Sequence, residues 1–105
     1  MAPMPNGTSQ NAVGNVAVST SSVVALPQRY GKLRRSQFVL TNTGTTDITI
    51  VKGDVAAVAG SGIVLGPGDQ YGEADDQGFS CWQGYVLAIG SAAGGTLAFS
   101  EVMVG

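Results

Sequence analysis

The chain has 105 residues, which is enough for one domain of ordinary size and too few for two. Only 11% of the residues are charged and the net charge is −2, which disfavours a nucleic-acid partner because neutralising phosphates requires a basic surface. A soluble domain usually carries about 25% charged residues, so the deficit favours another protein chain covering part of the exterior; the alternative is that Gly, Ala, Ser and Thr replace charge on the surface of a monomer. No apolar run approaches the ~18 residues of a membrane span.

Residues 1–11 are predicted to form a flexible N-terminal arm, and residues 12–105 a single β domain. The arm contains Pro3 and Pro5 with few bulky side chains, so it cannot bury enough area to offset its ordering entropy. It is either a disordered end or a segment that orders against a neighbouring subunit. The N-terminus lacks a positively charged region followed by an apolar one, so we expect no signal peptide and assembly in a cytoplasm.

Valine-rich segments separated by turn residues follow the arm. The predicted strands cover residues 12–18, 21–26, 34–41, 48–52, 55–59, 63–65, 78–82, 85–89 and 96–104. Pro67 and Gly68 occupy the central places of a type II turn, since proline fixes φ and glycine accepts the positive φ that follows. The sequence therefore predicts an all-β fold, an antiparallel β-sandwich of the jelly-roll kind with about eight to ten short strands.

The segment of residues 34–52 is predicted to be the hairpin around which the other strands pack. Phe38 and Leu40 recur at every second position of its first arm, and Ile48 and Ile50 do the same on its second. Polar turn residues join the two arms, so each arm offers one apolar face to a core.

Basic residues are concentrated just before this hairpin. The candidate partner-binding set is Arg29, Tyr30, Lys32, Arg34 and Arg35, together with Pro3 and Pro5 of the arm. Such a patch either meets an acidic protein partner or a phosphate, or forms a solvated loop whose arginine stems cover a strand edge. Glu101 falls on an apolar face of the last strand, so its carboxylate must either reach solvent at a sheet edge or meet a cation, with Arg34 or Arg35 as candidates.

The residue types disfavour catalysis and metal binding. The chain has no histidine, and its one cysteine, Cys81, is expected to be a reduced, buried, small apolar residue. Glu73, Asp75 and Asp76 form an acidic loop that does not supply the six to eight oxygen ligands of a Ca²⁺ site. We expect no enzyme activity, no metal and no cofactor.

Three aromatic side chains are candidate contact residues: Tyr71, Trp82 and Tyr85. Aromatic residues of this kind serve as core or interface anchors, or as a platform on which sugars stack.

The order of the motifs resembles that of small β-sandwich decoration (cement) and head-fibre-base proteins of tailed bacteriophages. The shared pattern is a basic entry to a strand, an Asn-bearing turn, a paired strand, a Gly-Ile-x-Leu-x-Pro-Gly turn, an aromatic strand and a closing strand with Glu. Here it covers residues 34–40, Asn42, residues 48–50, 62–68, 84–89 and 95–101. The acidic insert at residues 73–76 and the proline-bearing arm depart from it.

The resemblance implies a virion structural protein on the outer surface of an assembled capsid, made in the cytoplasm of a bacterial host. It would bind the major capsid protein, commonly as a homotrimer, and stabilise contacts between capsid subunits. The basic set and the arm would contact the shell. The alternative function is a carbohydrate-binding module that uses Trp82 and Tyr85.

Overall fold

The structure is a computed structural model that describes residues 9–31 and 33–105. Within these residues there are eight strands, and no helix is long and apolar enough to cross a membrane. The predicted contacts of Pro3, Pro5 and Lys32 lie outside the described residues. The strands are β1 (Ser9–Val18), β2 (Val23–Leu26), β3 (Arg34–Asn42), β4 (Ile48–Lys52), β5 (Ile63–Leu65), β6 (Gln70–Ala74), β7 (Val86–Gly90) and β8 (Gly95–Val104).

The strands form two four-stranded sheets that enclose one core. Sheet A has the order β1-β8-β3-β6 and sheet B the order β2-β7-β4-β5, and every neighbouring pair is antiparallel. Every connection except that from β4 to β5 crosses from one sheet to the other. This is the arrangement of a jelly roll, so the predicted fold class is confirmed.

The core is built from alternate residues of the strands, because successive side chains of a strand point to opposite faces. In sheet A, Leu40 of β3 lies between Phe99 of β8 and Tyr71 of β6. In sheet B, Ile50 of β4 lies beside Ala88 of β7. The most deeply buried apolar side chains are Val18, Leu26, Phe38, Leu40, Ile48, Ile50, Val86, Ala88 and Leu97.

Asn42 forms the corner where the chain leaves sheet A for sheet B. Its side chain is fully buried, and its Nδ2 donates to the carbonyl oxygens of Thr46 and Leu65, each at 2.8 Å. Its Oδ1 accepts the N–H of Gly44 at 3.0 Å. A buried amide costs free energy unless its polar atoms are bonded, so these contacts favour this corner over other turns.

The predicted hairpin of residues 34–52 is wrong in its pairing, although both of its strands exist. β3 pairs with β6 and β8, whereas β4 pairs with β5 and β7, so the two strands belong to opposite sheets. A strand with one apolar face shows the same period-two pattern whether the next strand of the chain lies beside it in the same sheet or across the core in the other sheet. The pattern therefore predicts the strands but not their neighbours.

Residues 55–59, predicted as a strand, belong to a loop between β4 and β5. The N–H of Ala57 donates to Ser22 Oγ at 2.9 Å, and the N–H of Gly60 donates to Thr49 Oγ1 at 2.9 Å. Thr49 faces away from the core and is nevertheless only 3% exposed. The loop thus lies over the outer face of sheet B with Ala57 buried beneath it, whereas Val55 and Val58 face solvent.

Three further boundaries differ from the prediction. β1 begins at Ser9, inside the predicted arm; β6 occupies part of the predicted acidic loop; and residues 78–82 form no strand. Long-range pairing with β8 and β3 creates the first two strand segments, and such pairing is invisible to a local pattern. The type II turn is confirmed, because the N–H of Asp69 donates to the carbonyl of Gly66 at 2.9 Å and Gly68 has φ of 84°.

Candidate partner-binding end of the sandwich

Two loops meet at one end of the sandwich, the β2–β3 loop (residues 27–31 and 33 of the described chain) and the β6–β7 loop (residues 75–85). The side chain of Gln83 joins them to β3: its Oε1 accepts the N–H of Arg35 at 2.6 Å, and its Nε2 donates to the Arg35 carbonyl at 2.6 Å. The N–H of Arg29 donates to the Gln83 carbonyl at 2.7 Å. We call the two loops together the clamped end.

Arg35 lies at the centre of the clamped end and is fully buried. Its Nε donates to Glu101 Oε2 at 2.7 Å. Its Nη1 donates to the carbonyls of Trp82 at 2.6 Å and Gly84 at 3.2 Å, and its Nη2 donates to that of Pro27 at 2.6 Å. A guanidinium presents its donors in a rigid plane, so this one side chain fixes both loops relative to β8.

Glu101 has two cationic partners, of which the sequence predicted one. Arg35 is confirmed as a partner and Arg34 is not. The second is Arg29, whose Nη2 donates to Glu101 Oε1 at 2.6 Å. Burial alone would raise the pKa of Glu101, but the hydrogen bonds from Arg29 and Arg35 outweigh it and leave the pKa below its ordinary value.

The role of Arg29 was missed because it lies on a loop, where no strand alternation indicates which way its side chain points. Only one sequence signal pointed to it. Residues 29–35 hold more cations than a single buried carboxylate needs, so a second one was available to bind it.

Arg34 pairs at the surface with Asp75 instead of with Glu101. Its Nη1 and Nη2 both bind the carboxylate, the latter at 3.1 Å. The hydrogen bond from Arg34, with a smaller contribution from the N–H of Cys81, lowers the pKa of Asp75 to about 2. This pair ties the start of β3 to the β6–β7 loop.

A fourth ion pair joins the two sheets beside the clamped end. Lys52 of sheet B donates through Nζ to Glu73 Oε2 of sheet A at 2.6 Å, and the Tyr71 hydroxyl donates to the same oxygen at 2.5 Å. The Lys52 Nζ also lies 5.9 Å from the ring centroids of Tyr71 and Trp82. Burial would raise the pKa of Glu73, but these donors and the N–H of Trp82 lower it overall.

These pairs correct the predicted partner-binding set at Arg35. In the described part of the chain, each basic side chain already binds a carboxylate within the same molecule. Arg35 has no exposed surface and cannot contact a partner, because it is the internal clamp. Arg29 and Arg34 keep partly exposed side chains, and Tyr30 is 78% exposed.

The acidic residues at positions 73–76 do not converge on one point. Glu73 faces Lys52 between the sheets, whereas Asp75 binds Arg34 at the surface. Within residues 9–31 and 33–105, no three acidic, histidine or cysteine side chains come together as a metal site would require.

Cys81 is free and buried, as predicted. Burial, reinforced by the nearby charge of Glu73, raises the pKa of its thiol to about 11. A thiol with that pKa holds very little thiolate near neutral pH, so it is chemically inert in the folded chain.

The exposed aromatic side chains are concentrated at the clamped end. Tyr30, Phe79 and Tyr85 are 78%, 49% and 37% exposed, and the other aromatic residues in the described part of the chain are buried or half-buried. All three lie on the two loops that Arg35 holds together.

Two of the predicted contact aromatics also lie together there. Trp82 and Tyr85 line a shallow groove of about 270 Å³, together with Gln28 and Asp54. Tyr71, the third, instead packs against Phe38, with ring centroids 6.1 Å apart.

The fold makes the chain a jelly-roll sandwich. The loops at its clamped end expose aromatic side chains, and the described basic side chains there are paired with carboxylates of the same chain. No family model and no curated protein matches the sequence. Among solved structures, the chain is similar to one from the Bacillus endospore appendages, which are described as a novel family of disulfide-linked pili. The two share 17% identity and a TM-score of 0.61 over 93% of this chain and 86% of the other, a likeness of fold.

Proposed function

We propose that the chain is a structural subunit that works by binding other proteins through the clamped end. The observation that carries this proposal is the concentration of exposed aromatic side chains on the two loops. Aromatic residues dominate the binding energy of protein interfaces, because they bury large areas at low cost in conformational entropy. The buried network around Arg35 keeps these loops in one arrangement before binding, which reduces the ordering cost further.

The proposed partner is the outer surface of an assembled capsid, in line with the resemblance to phage decoration proteins. Contacts that exist only between assembled shell subunits stabilise the assembled state by mass action. Because the described cations are already paired internally, the contact is expected to be mainly apolar and only weakly dependent on salt. The expected homotrimer is not required for this mechanism.

The solved neighbour supports a structural role, since it is a subunit of a pilus. Its appendages are described as disulfide-linked, whereas this chain has one cysteine and that cysteine is buried. We therefore expect this chain to assemble through non-covalent contacts.

The test is binding of the purified chain to tailed-phage shells stripped of their own decoration protein. Replacing Tyr30 with alanine should weaken binding by about 2 kcal/mol, or roughly 30-fold, as for an interface anchor. Val64→Ala, an exposed change on β5, is the matched control and should leave affinity unchanged. Equal affinities for the Tyr30→Ala and wild-type chains would contradict the proposed surface.

The arm is tested by deleting residues 2–8, which leaves all of β1 in place. If the arm lies along a neighbouring shell subunit, shell occupancy should fall at limiting concentration. Unchanged occupancy would remove the arm from the mechanism.

A carbohydrate-binding function is the second candidate, favoured by the groove that Trp82 and Tyr85 share with Gln28 and Asp54. Aromatic faces beside amide and carboxylate groups are the usual means of holding a sugar ring. A glycan-array signal that disappears in Tyr85→Ala but persists in Tyr30→Ala would support it. Binding to phage shells that is lost in Tyr30→Ala but kept in Tyr85→Ala would support the capsid function.

A further inference from the structure

We propose that two copies of this chain pair through β1, edge to edge and antiparallel, about a twofold axis at Val13. The pairing would join the two copies of sheet A into one eight-stranded sheet. This self-association is separate from the clamped end and does not depend on what that end binds.

The first argument is the character of the four sheet edges. β2, β5 and β6 are edges of only four, three and five residues, and β2 is followed directly by Pro27. β1 has ten residues, no charged residue and no proline, and no described strand covers its outer edge. Natural proteins protect long edges with charges, prolines or bulges, because unpaired N–H and C=O groups recruit another strand. β1 has none of these protections.

The second argument is that β1 is nearly symmetric about its middle. An antiparallel pair centred on Val13 places Val13 opposite its copy and Asn11 opposite the copy of Asn15. On the other face it places the small residue Ala12 opposite the copy of Gly14. A twofold interface requires that a surface match itself, and the five central residues of this strand do so.

The third argument is the burial and charge of the side chains. Val13 is 74% exposed, although it lies in the middle of a strand, and Asn11 and Asn15 on the same face are also exposed. In a twofold pair, Val13 would be covered by its copy, and the asparagines could bond across the strands. The chain has a net charge of −2, but β1 carries no charge, so the contact brings no like charges together.

The chain itself closes the inner face of β1. A side chain on Gly14 would meet the ring of Phe99 at 3.0 Å, so that ring already fills the space beneath the strand. A second copy can therefore contribute only backbone hydrogen bonds along the strand edge and side-chain contacts on the outer face of the sheet.

The size of this contact sets the affinity to expect. A ten-residue strand is about 34 Å long, and one strand width of that length falls near or below the roughly 1,200 Å² of the smallest stable interfaces. We therefore expect a dissociation constant in the micromolar range, about 1–100 μM. Sedimentation of the full chain from about 1 μM to several hundred μM should show the mass rising from one chain to two.

Charge substitution at Val13 tests the axis. Val13→Lys and Val13→Glu each place like charges opposite one another and should each raise the dissociation constant at least about tenfold. Mixing the two variants should restore a mixed dimer, because lysine then faces glutamate. Val64→Lys, on the edge strand β5 of the other sheet, is the control and should pair like the wild type. Near-UV circular dichroism of Trp82 checks that each variant is folded.

Cysteine substitution tests the register. With the axis at Val13, Val13→Cys should form a disulfide-linked dimer on mild oxidation, because directly opposed Cα atoms lie about 4.5–5.5 Å apart. Asn11→Cys alone should not, since its copy would lie about 13 Å away along the strand, whereas the double variant Asn11→Cys/Asn15→Cys should. The buried Cys81 does not interfere.

The proposal is overturned by a chain that stays monomeric at several hundred μM, or by a trimer. It is equally overturned if Val13→Lys pairs as well as the wild type, or if the mixed variants remain apart. None of these results bears on the Tyr30 test of shell binding, so the two proposals can fail separately.

Discussion

Replacing Glu101 with glutamine tests whether the buried ion cluster holds the clamped end together. The change keeps the shape of the side chain and removes its charge, so Arg35 keeps its carbonyl contacts but loses its buried counter-charge. Both side chains of this pair are at most 1% exposed. Removing one partner of a buried pair costs about 3–5 kcal/mol, because the remaining charge is left uncompensated.

That cost is a large share of the stability of a small domain, which is about 5–15 kcal/mol. Urea unfolding followed by Trp82 fluorescence measures it. With a urea dependence of about 2 kcal/mol per M, the midpoint should fall by roughly 2 M in Glu101→Gln, with the slope unchanged.

Asp75→Asn is the matched control, since it makes the same carboxylate-to-amide change in the solvent-exposed pair with Arg34. Surface pairs are weakened by water and salt, so its midpoint should move far less. A Glu101→Gln midpoint within about 0.5 M of the wild type, at equal slope, would show that Arg35 does not depend on the Glu101 charge.

Three further outcomes are expected. Folding lowers the pKa values of the paired carboxylates, so the stability they contribute is complete above the unfolded carboxyl pKa of about 4 and is lost as the pH falls through the folded values. Melting temperatures measured from pH 7 to pH 2 should therefore drop steeply below pH 4. A flat profile would contradict the ion-pair geometry. Cys81 should resist iodoacetamide at pH 8 when folded and react in urea, as mass spectrometry can follow; rapid labelling of the native chain would refute its burial. Gly84→Ala should lower the free energy of unfolding by about 1–3 kcal/mol and shift Trp82 fluorescence, because the added carbon would lie 2.5 Å from the indole ring. An unchanged spectrum and urea midpoint would show that the ring moves freely.

The candidate site could be predicted in part from the sequence. A glutamate at an apolar position of β8 indicates a buried cation, and the cluster of basic residues supplies one, which is how Arg35 was found. The same cluster suggested a free patch, because a sequence shows how many charges lie together but not which are already bonded. Gln83 carried no signal, since its role depends on two loops meeting.

What the sequence determined by itself is the all-β character, most strand positions and the type II turn at residues 66–69. These depend on side-chain alternation and on the φ preferences of proline and glycine, which act over a few neighbouring residues. The tertiary structure alone decided that β3 and β4 face each other across the core, that the β4–β5 loop covers sheet B, and that β6 exists. Each of these depends on free energy gained between residues far apart in the chain, where one apolar face can be buried equally well against several partners.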